Sequence, residues 1–595
     1  MNNKEILTGA EALAYILEKE KILNIFAYPG TSELAMCDAI RKNSKLNLIN
    51  GRGDKESAFM AAGGSLLKPS HAVAILHGAR GLTNAVGALA DVRRNEIGTV
   101  FFVGLPSTNS APFLPPHGEL NLISNVGNFA KYYDEIGEAV NKNDSSSEIK
   151  RKAASFIKKI RTVISKSRSL PIGPTIFGIP QDIAENSWIP SSFMQTYSPE
   201  KKEINDSLQE ADKAMKFINN SRRVVILVDD FLYKHPGAKN KLADLAEALN
   251  APIFQVYYGR GPMLFEKSSS RYNPYFVGDY KPNCEAQKKV MDQADLLITL
   301  EDRNMYSRVV GNLPSCKKIA ITTNLSMTSK NKYLKKDDVV LVGDLLTYMT
   351  HISSHVNIQS NKIKLKKQCD EIRKKSQEEY ELDPGFAKMR RCISEELATA
   401  FRKVSHPVLI DDSQMFGGLL AEYYDLFPKN LRVFGDHGAF IGGGLAYATG
   451  LAQCEQSTKV FNSLGDQSFT NAIQGLIAAV QEKTNIIYIV CNNGKSVSLF
   501  KQILSQDPFS FEKGAHRFLH NAPYQYSRLT KSLGIPSYEI SFLTTNEKGL
   551  NTSSKILRKI LLESLNTKGP VFIELKLPSD FAAWKGIWAI KGNEK

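Results

Sequence analysis

Residues 461–495, FNSLGDQSFTNAIQGLIAAVQEKTNIIYIVCNNGK, constrain the fold more than any other stretch of the chain. An apolar approach ends at Leu464 and breaks at Gly465-Asp466-Gln467. Phe469, Ile473, Leu476, Ile477 and Val480 then recur at the spacing of one helix face. Residues 486–491 form a β-rich run of the fully buried kind, which stops at Asn492-Asn493-Gly494. Strand, turn, helix and strand in that order make a parallel unit, because the helix carries the chain back across the sheet. Ligands of open parallel sheets bind at the carboxyl ends of the strands. There this unit places a carboxylate, Asp466, and an amide oxygen, Asn493. Such oxygens suit a hard divalent cation of the Mg²⁺ type. The helix start after Asp466 offers free N–H groups and a positive dipole end to a diphosphate. Either motif alone reads more readily as a turn; the helix and strand between them join the two and reverse that reading.

The same alternation recurs toward the amino terminus. A helix lies within 8–40 (Ala10, Leu13, Ile16, Leu17), and strand 25–28 ends in the turn Pro29-Gly30-Thr31-Ser32-Glu33. A small-residue helix over 57–67, strand 73–76, helix 82–92 and strand 99–103 follow, the pattern of a parallel α/β sheet. Laying 83–86 (TNAV) over 470–473 (TNAI) without gaps brings Leu89 onto Leu476 and 100–103 onto 487–490. Residues 58–61 (AFMA) and 439–442 (AFIG) stand upstream in their respective copies. Residues 1–185 and 386–595 therefore read as two versions of one architecture. In that register Ala79 opposes Asp466, so only the second copy keeps the acidic ligand. A third α/β unit over 205–355 carries strands at 224–228, 252–254, 294–300 and 319–321 and a helix at 239–249. The polar stretch 138–168 reads as a surface excursion into a basic helix, and the charged stretch 358–385 as a linker helix.

At 595 residues the chain has room for three or four ordinary domains, with the 42% apolar and 23% charged content of a globular protein. Its +15 net charge favours anionic ligands. The basic residues are scattered and no nucleic-acid-binding motif is present. Seven cysteines without paired metal-ligand spacing point to free thiols. No run of apolar residues is long enough to span a bilayer, and no apolar signal core follows Met1, so the expectation is a cytoplasmic protein.

The Gly-Asp-Gln…Asn-Asn pattern resembles the diphosphate-binding motif of thiamine-diphosphate enzymes, with Gln467 standing where that family has glycine. The resemblance extends in domain order along nearly the whole chain. It implies three doubly wound parallel-sheet α/β domains, pyrimidine-binding, central and diphosphate-binding, in the branch of acetolactate synthase, pyruvate oxidase and benzoylformate decarboxylase. By that resemblance Asp466, Asn493 and the carbonyl of Lys495 would hold Mg²⁺ against thiamine diphosphate, flanked by Gly465, Gln467, Ser468 and Gln414. Ile441 would wedge the two cofactor rings together. Glu56 would bond the aminopyrimidine, near Pro29, Gly30, Thr31 and Asn84. A carboxylic acid against a ring nitrogen supports the tautomer that activates the cofactor, the protein otherwise supplying placement.

Three places depart from that branch. Ala79-Arg80-Gly81 replaces Gly-Pro-Gly, bringing a cation, Arg80, that would pair with a substrate carboxylate. The loop 112–119 carries His117, the expected acid–base, preferred to His77 for its place among prolines. Segment 273–279 is glycine-poor, which argues against FAD. The expected activity is decarboxylation of a 2-oxo acid followed by transfer to a carbonyl acceptor. Simple decarboxylation and a catalytically silent homologue are the alternatives. The resemblance implies a homodimer or homotetramer with sites shared between subunits.

Overall fold

The structure, a computed structural model, describes residues 4–110, 112–199, 208–257, 263–356, 362–377, 382–506 and 524–587. Three six-stranded sheets, every strand pair in them parallel, are each flanked by helices. The first sheet runs Asn47–Asn50, Asn24–Ala27, Ala72–Leu76, Val100–Leu105, Thr175–Pro180, Tyr132–Glu135. The third runs Arg432–Gly435, Pro407–Asp412, Lys459–Gly465, Ile486–Asn492, Val571–Lys576, Ser537–Ser541. Counted along the chain, both follow the order second, first, third, fourth, sixth, fifth. The central sheet differs: Phe276–Tyr280, Ile253–Val256, Val224–Val228, Leu296–Leu300, Lys317–Thr322, Val339–Val342, or third, second, first, fourth, fifth, sixth. Runs such as VVILV at Val224–Val228 and LLITL at Leu296–Leu300 are buried throughout, as strands covered on both faces must be.

The shift that carries Thr83 onto Thr470 also superposes two 16-residue helices, Ala79–Arg94 on Asp466–Gln481. It further relates two helices that pack on each other, Asp54–Gly64 and Gly443–Cys454. A Cβ on Gly63 would stand 2.7 Å from the Cα of Tyr447, and one on Gly450 would stand 2.6 Å from the Cα of Met60. The shift takes Met60 to Tyr447 and Gly63 to Gly450, so the two contacts are the same contact read from either side. First and third domains of one chain thus meet about a pseudo-two-fold axis between these helices. The pairing of 58–61 with 439–442 suggested by sequence does not follow this register. Phe59 and Phe440 instead pack on each other, ring centroids 5.0 Å apart.

Helix Ser146–Arg168 opens with a capping box of Ser145 and Glu148 and buries Phe156, Ile160 and Val163 against the first sheet. The stretch 358–385, expected as a linker, contains helix Lys362–Lys375. Its stripe of Leu365, Cys369 and Ile372 joins the central core, so this helix is packed rather than linking. Residues 358–361 and 378–381 of that stretch lie outside the described residues.

Candidate active site

In the first and third sheets the chain direction switches between the first and third strands, and such switch points are where ligands bind. In the third sheet the crevice lies between Asp412-Ser413-Gln414 and Gly465-Asp466. Asp466 is the first residue of its helix, and Asn493 follows the neighbouring strand, where Gly465 pairs with Cys491. The two motifs meet: the N–H of Gly494 donates to Asp466 Oδ2 at 3.0 Å, while that of Gln467 donates to Oδ1 at 2.8 Å. Gly494 reaches this position with φ +73°, a conformation that glycine adopts without a Cβ penalty. A cavity of about 100 Å³ here is lined by Gln414, Ile441, Gly465, Asp466, Gln467, Ser468, Asn493 and Lys495, all eight third-domain residues expected at the site.

Gln467 sits in the first helical turn, where the backbone needs no glycine, and its Oε1 accepts from Ser496 Oγ at 3.3 Å. The departure from the family pattern therefore adds an amide to the cavity wall without distorting the turn. Gln414 has φ +50° and ψ −98°, a strained conformation of the kind concentrated at ligand sites. Its Oε1 accepts from Ser498 Oγ at 3.0 Å. Behind the cavity, buried Asp412 accepts from the N–H groups of Gly442 and Gly444 and from Ser468 Oγ. Burial, and next the charge of Asp436, push its carboxyl up to about 8.

The equivalent crevice of the first sheet lies between Ala27 and Leu76. Beyond these strand ends, fully buried Glu33 takes His77 Nδ1 at 2.9 Å, and Ser32 Oγ donates to Glu33 Oε2 at 2.7 Å. The N–H of Gly30 also donates to Glu33, and a Cβ on Gly30 would strike the His77 ring. His117 stands with its ring 5.3 Å from that of His77 and its Nε2 buried without a hydrogen-bond partner among the described residues. Burial, then the neighbouring His77, lower the affinity of His117 for a proton. Asp54 accepts from the His77 N–H at 3.0 Å, and burial pushes its carboxyl up to about 6. Arg80 is exposed and ion-paired to Glu119 at 3.3 Å. The loop and strand ends thus gather Glu33, Ser32, His77, His117 and Asp54. Of these, sequence alone selected only His117. The signal available was the internal repeat, which makes the residues after strands 24–27 and 72–76 a switch point.

Glu56 is buried, and among the described residues its Oε1 has the Lys55 ammonium, 3.0 Å away, as its one partner. Its Cγ faces Gly475 of its own chain, nine residues along the helix from Asp466, about 14 Å at the helical rise. Pro29, Thr31 and Asn84 are exposed, and none lines the Asp466 cavity. At the central switch point Asp229, Glu301 and Arg303 fill the crevice. Arg303 binds Glu96 of the first domain through Nε and Nη2 at 2.7 and 2.8 Å, and Glu301 at 2.6 Å. Against the upward push of burial, Arg303 and His235 hold Glu301 well below the usual carboxylate range. Segment 273–279, the basis for arguing against FAD, leads into the sheet's edge strand Phe276–Tyr280, away from this crevice.

These features define an α/β protein with a polar cavity at the strand ends of one of two related domains and a buried carboxylate beside Lys55 on the other. Comparison with known proteins gives the class. Residues 7–126 match the N-terminal TPP-binding domain of thiamine pyrophosphate enzymes, 211–370 the central domain, and 416–575 the C-terminal TPP-binding domain. The chain belongs to the thiamine pyrophosphate enzyme family. It is 21% identical to the mitochondrial acetolactate synthase catalytic subunit of Saccharomyces cerevisiae, over 96% of this chain and 81% of that protein. It is 20% identical to the large subunit of Escherichia coli acetolactate synthase isozyme 1, over 97% and 95% of the two chains. The fold matches the Rhodococcus jostii 4-hydroxybenzoylformate decarboxylase with a TM-score of 0.74 at 16% identity, covering 96% and 100% of the chains.

Proposed function

We propose that the chain is a thiamine-diphosphate- and Mg²⁺-dependent enzyme that decarboxylates a 2-oxo acid and joins the remaining acyl unit to a carbonyl acceptor, as an acetolactate synthase does. The observation that carries this is the meeting of Asp466 and the 492–495 turn at the third sheet's switch point, inside a cavity lined by every third-domain residue expected there. The donor set fits the group: one carboxylate and neutral oxygens for a hard cation, and a helix start for a diphosphate. Among the described residues no cluster of three His, Cys, Asp or Glu side chains competes for a metal. The buried Glu56 carboxyl, with Lys55 beside its Oε1, fits a ring nitrogen. Asp466, Asn493 and the Lys495 carbonyl would hold Mg²⁺, Ile441 would support the cofactor from beneath, and Glu56 would hold a proton at the ring. When bound, thiamine diphosphate supplies the electron sink that lets a 2-oxo acid lose CO₂.

Each site is shared between two subunits, Glu56 from one and Asp466 from its partner, in a two-fold dimer or a dimer of dimers. Two features support this. Among the described residues, the Asp466 cavity is lined by ones between 413 and 499 alone, and the apolar side chains Tyr28, Leu34, Ile441, Ile477 and Leu499 around the two halves are exposed. The filled central crevice supports activity without FAD. No helix among the described residues is long and apolar enough to cross a membrane, and the location proposed is cytoplasmic. A second reading, decarboxylation alone, draws on His77. Backed by buried Glu33 and beside His117, it is placed to deliver to carbon the proton that takes the place of CO₂ when no acceptor is joined, whereas carboligation forms a C–C bond there. Incubating the protein with thiamine diphosphate, Mg²⁺ and a panel of 2-oxo acids, with CO₂ and product masses measured, separates the readings. Acyloin masses are expected; aldehydes alone select the second reading, and no CO₂ from any acid overturns both.

A further inference from the structure

We propose that the cavity at the amino-terminal edge of the third sheet binds a small organic anion carrying a phosphate or carboxylate, with Lys459 as its charged floor. The cavity measures about 540 Å³, within the range of small-molecule sites. Its wall combines Lys403 and Lys459 with Ser457, Thr458 and Asn485 and an apolar side at Leu562.

Lys459 is 7% exposed. Its Nζ donates to Asn485 Oδ1 at 2.5 Å and to the Ser564 carbonyl at 3.2 Å, both neutral acceptors. No carboxylate among the described residues pairs with it, and burial alone pushes its amine down to about 8. A buried charge without a counter-ion is costly, and proteins rarely keep one unless something pairs with it. The fold does not demand this lysine. The shift that relates the first and third domains places Lys459 on Ala72, which opens the equivalent strand and is buried without any polar group. The third domain has therefore put a cation where its sister architecture works with a methyl group, at the edge of the cavity. Because Ser564 lies in the last turn of helix Glu547–Leu565, the rival account is that Lys459 only caps that helix. The site is distinct from the cofactor cradle: Lys459 and Gly465 are the two ends of one seven-residue strand, about 20 Å apart.

The test uses the whole protein saturated with thiamine diphosphate and Mg²⁺, at constant ionic strength. Inorganic phosphate and isobutyrate are titrated in separate arms against chloride, and thermal stability and heat of binding are read. A saturable response is expected in at least one arm. Phosphate alone marks a phosphorylated ligand, and isobutyrate alone marks a carboxylate. Lys459→Met is expected to weaken the response at least about tenfold, with cofactor affinity unchanged. Leu562→Trp, which fills the cavity and leaves the charge alone, is expected to weaken it as well and serves if Lys459→Met does not fold. No response in either arm, or a response that survives both substitutions, overturns the proposal and leaves Lys459 a helix cap.

Discussion

The pseudo-two-fold contact between the first and third domains makes a quantitative prediction at Gly450. A Cβ there stands 2.6 Å from the Met60 Cα and closer to its carbonyl oxygen, whereas carbon atoms pack at about 3.5–4.0 Å. Both partners are backbone in the middle of helices, so no rotamer change relieves the overlap. The helices must part by about 1 Å, which forfeits a quarter to a half of the dispersion energy at each contact. The buried side chains of that interface, Phe59, Met60, Tyr447 and Leu451 among them, each make tens of such contacts. The loss is then about 3–4 kcal/mol, against a helix-propensity gain of about 1 kcal/mol for Gly→Ala. A net cost of about 2–3 kcal/mol lowers the melting temperature by roughly 5–10 °C for a unit of this size. Calorimetry of Gly450→Ala reads it directly. Gly63→Ala should cost the same within about 1 kcal/mol, being the same contact from the other side. The double variant should cost less than the sum, because helices already parted admit the second methyl. Glu56 sits in the first turn of one of these helices, so activity should fall more steeply than stability. An unchanged or raised melting temperature in Gly450→Ala, or strict additivity in the double variant, would refute the packing argument.

Three further outcomes are expected. Mixing inactive Glu56→Gln with inactive Asp466→Ala under subunit exchange should restore roughly a quarter of wild-type activity, since half the dimers carry one intact site; background activity despite verified exchange counts against shared sites. Arg303→Met takes from Glu96 its guanidinium partner and leaves Glu301 with His235 and Thr323 at the junction of first and central domains, and should cost about 3–5 kcal/mol, read by denaturant unfolding. The folded-state amine of Lys459 lies below its ordinary 10.5, at about 8, so the unfolded chain holds the extra proton between these values and stability rises with pH there. Lys459→Met removes that gain, and Lys403 is the other charged group lining the cavity; parallel stability curves for variant and wild type above pH 8 would contradict the assignment.

The sheets were legible in the sequence because buried parallel strands are written as unbroken apolar runs, and 224–228 or 486–491 allow no other element of that length. The meeting of Asp466 with the 492–495 turn was legible because both follow such runs directly. The internal repeat was legible through the Thr-Asn pair, but Ala-Phe at 58 and 439 misled: small-residue helices look alike at several offsets, and only the glycine contacts fix the register. The helix within 358–385 was legible, but its packing on the central core was hidden by its charge, although Leu365, Cys369 and Ile372 at helical spacing mark one buried stripe. The Glu33–His77–His117 cluster joins three separate strand ends and loops. No local pattern encodes it, so it emerges only once the first sheet's strand order is known.

The account rests on Asp466 and Asn493 forming one cation-dependent diphosphate cradle. Calorimetric titration of the protein with thiamine diphosphate, with and without Mg²⁺, tests that most directly. Wild type should bind tightly only with the metal, and Asp466→Ala should lose binding while keeping its circular dichroism spectrum. Equal cofactor affinity with and without Mg²⁺, or in wild type and Asp466→Ala, would contradict it.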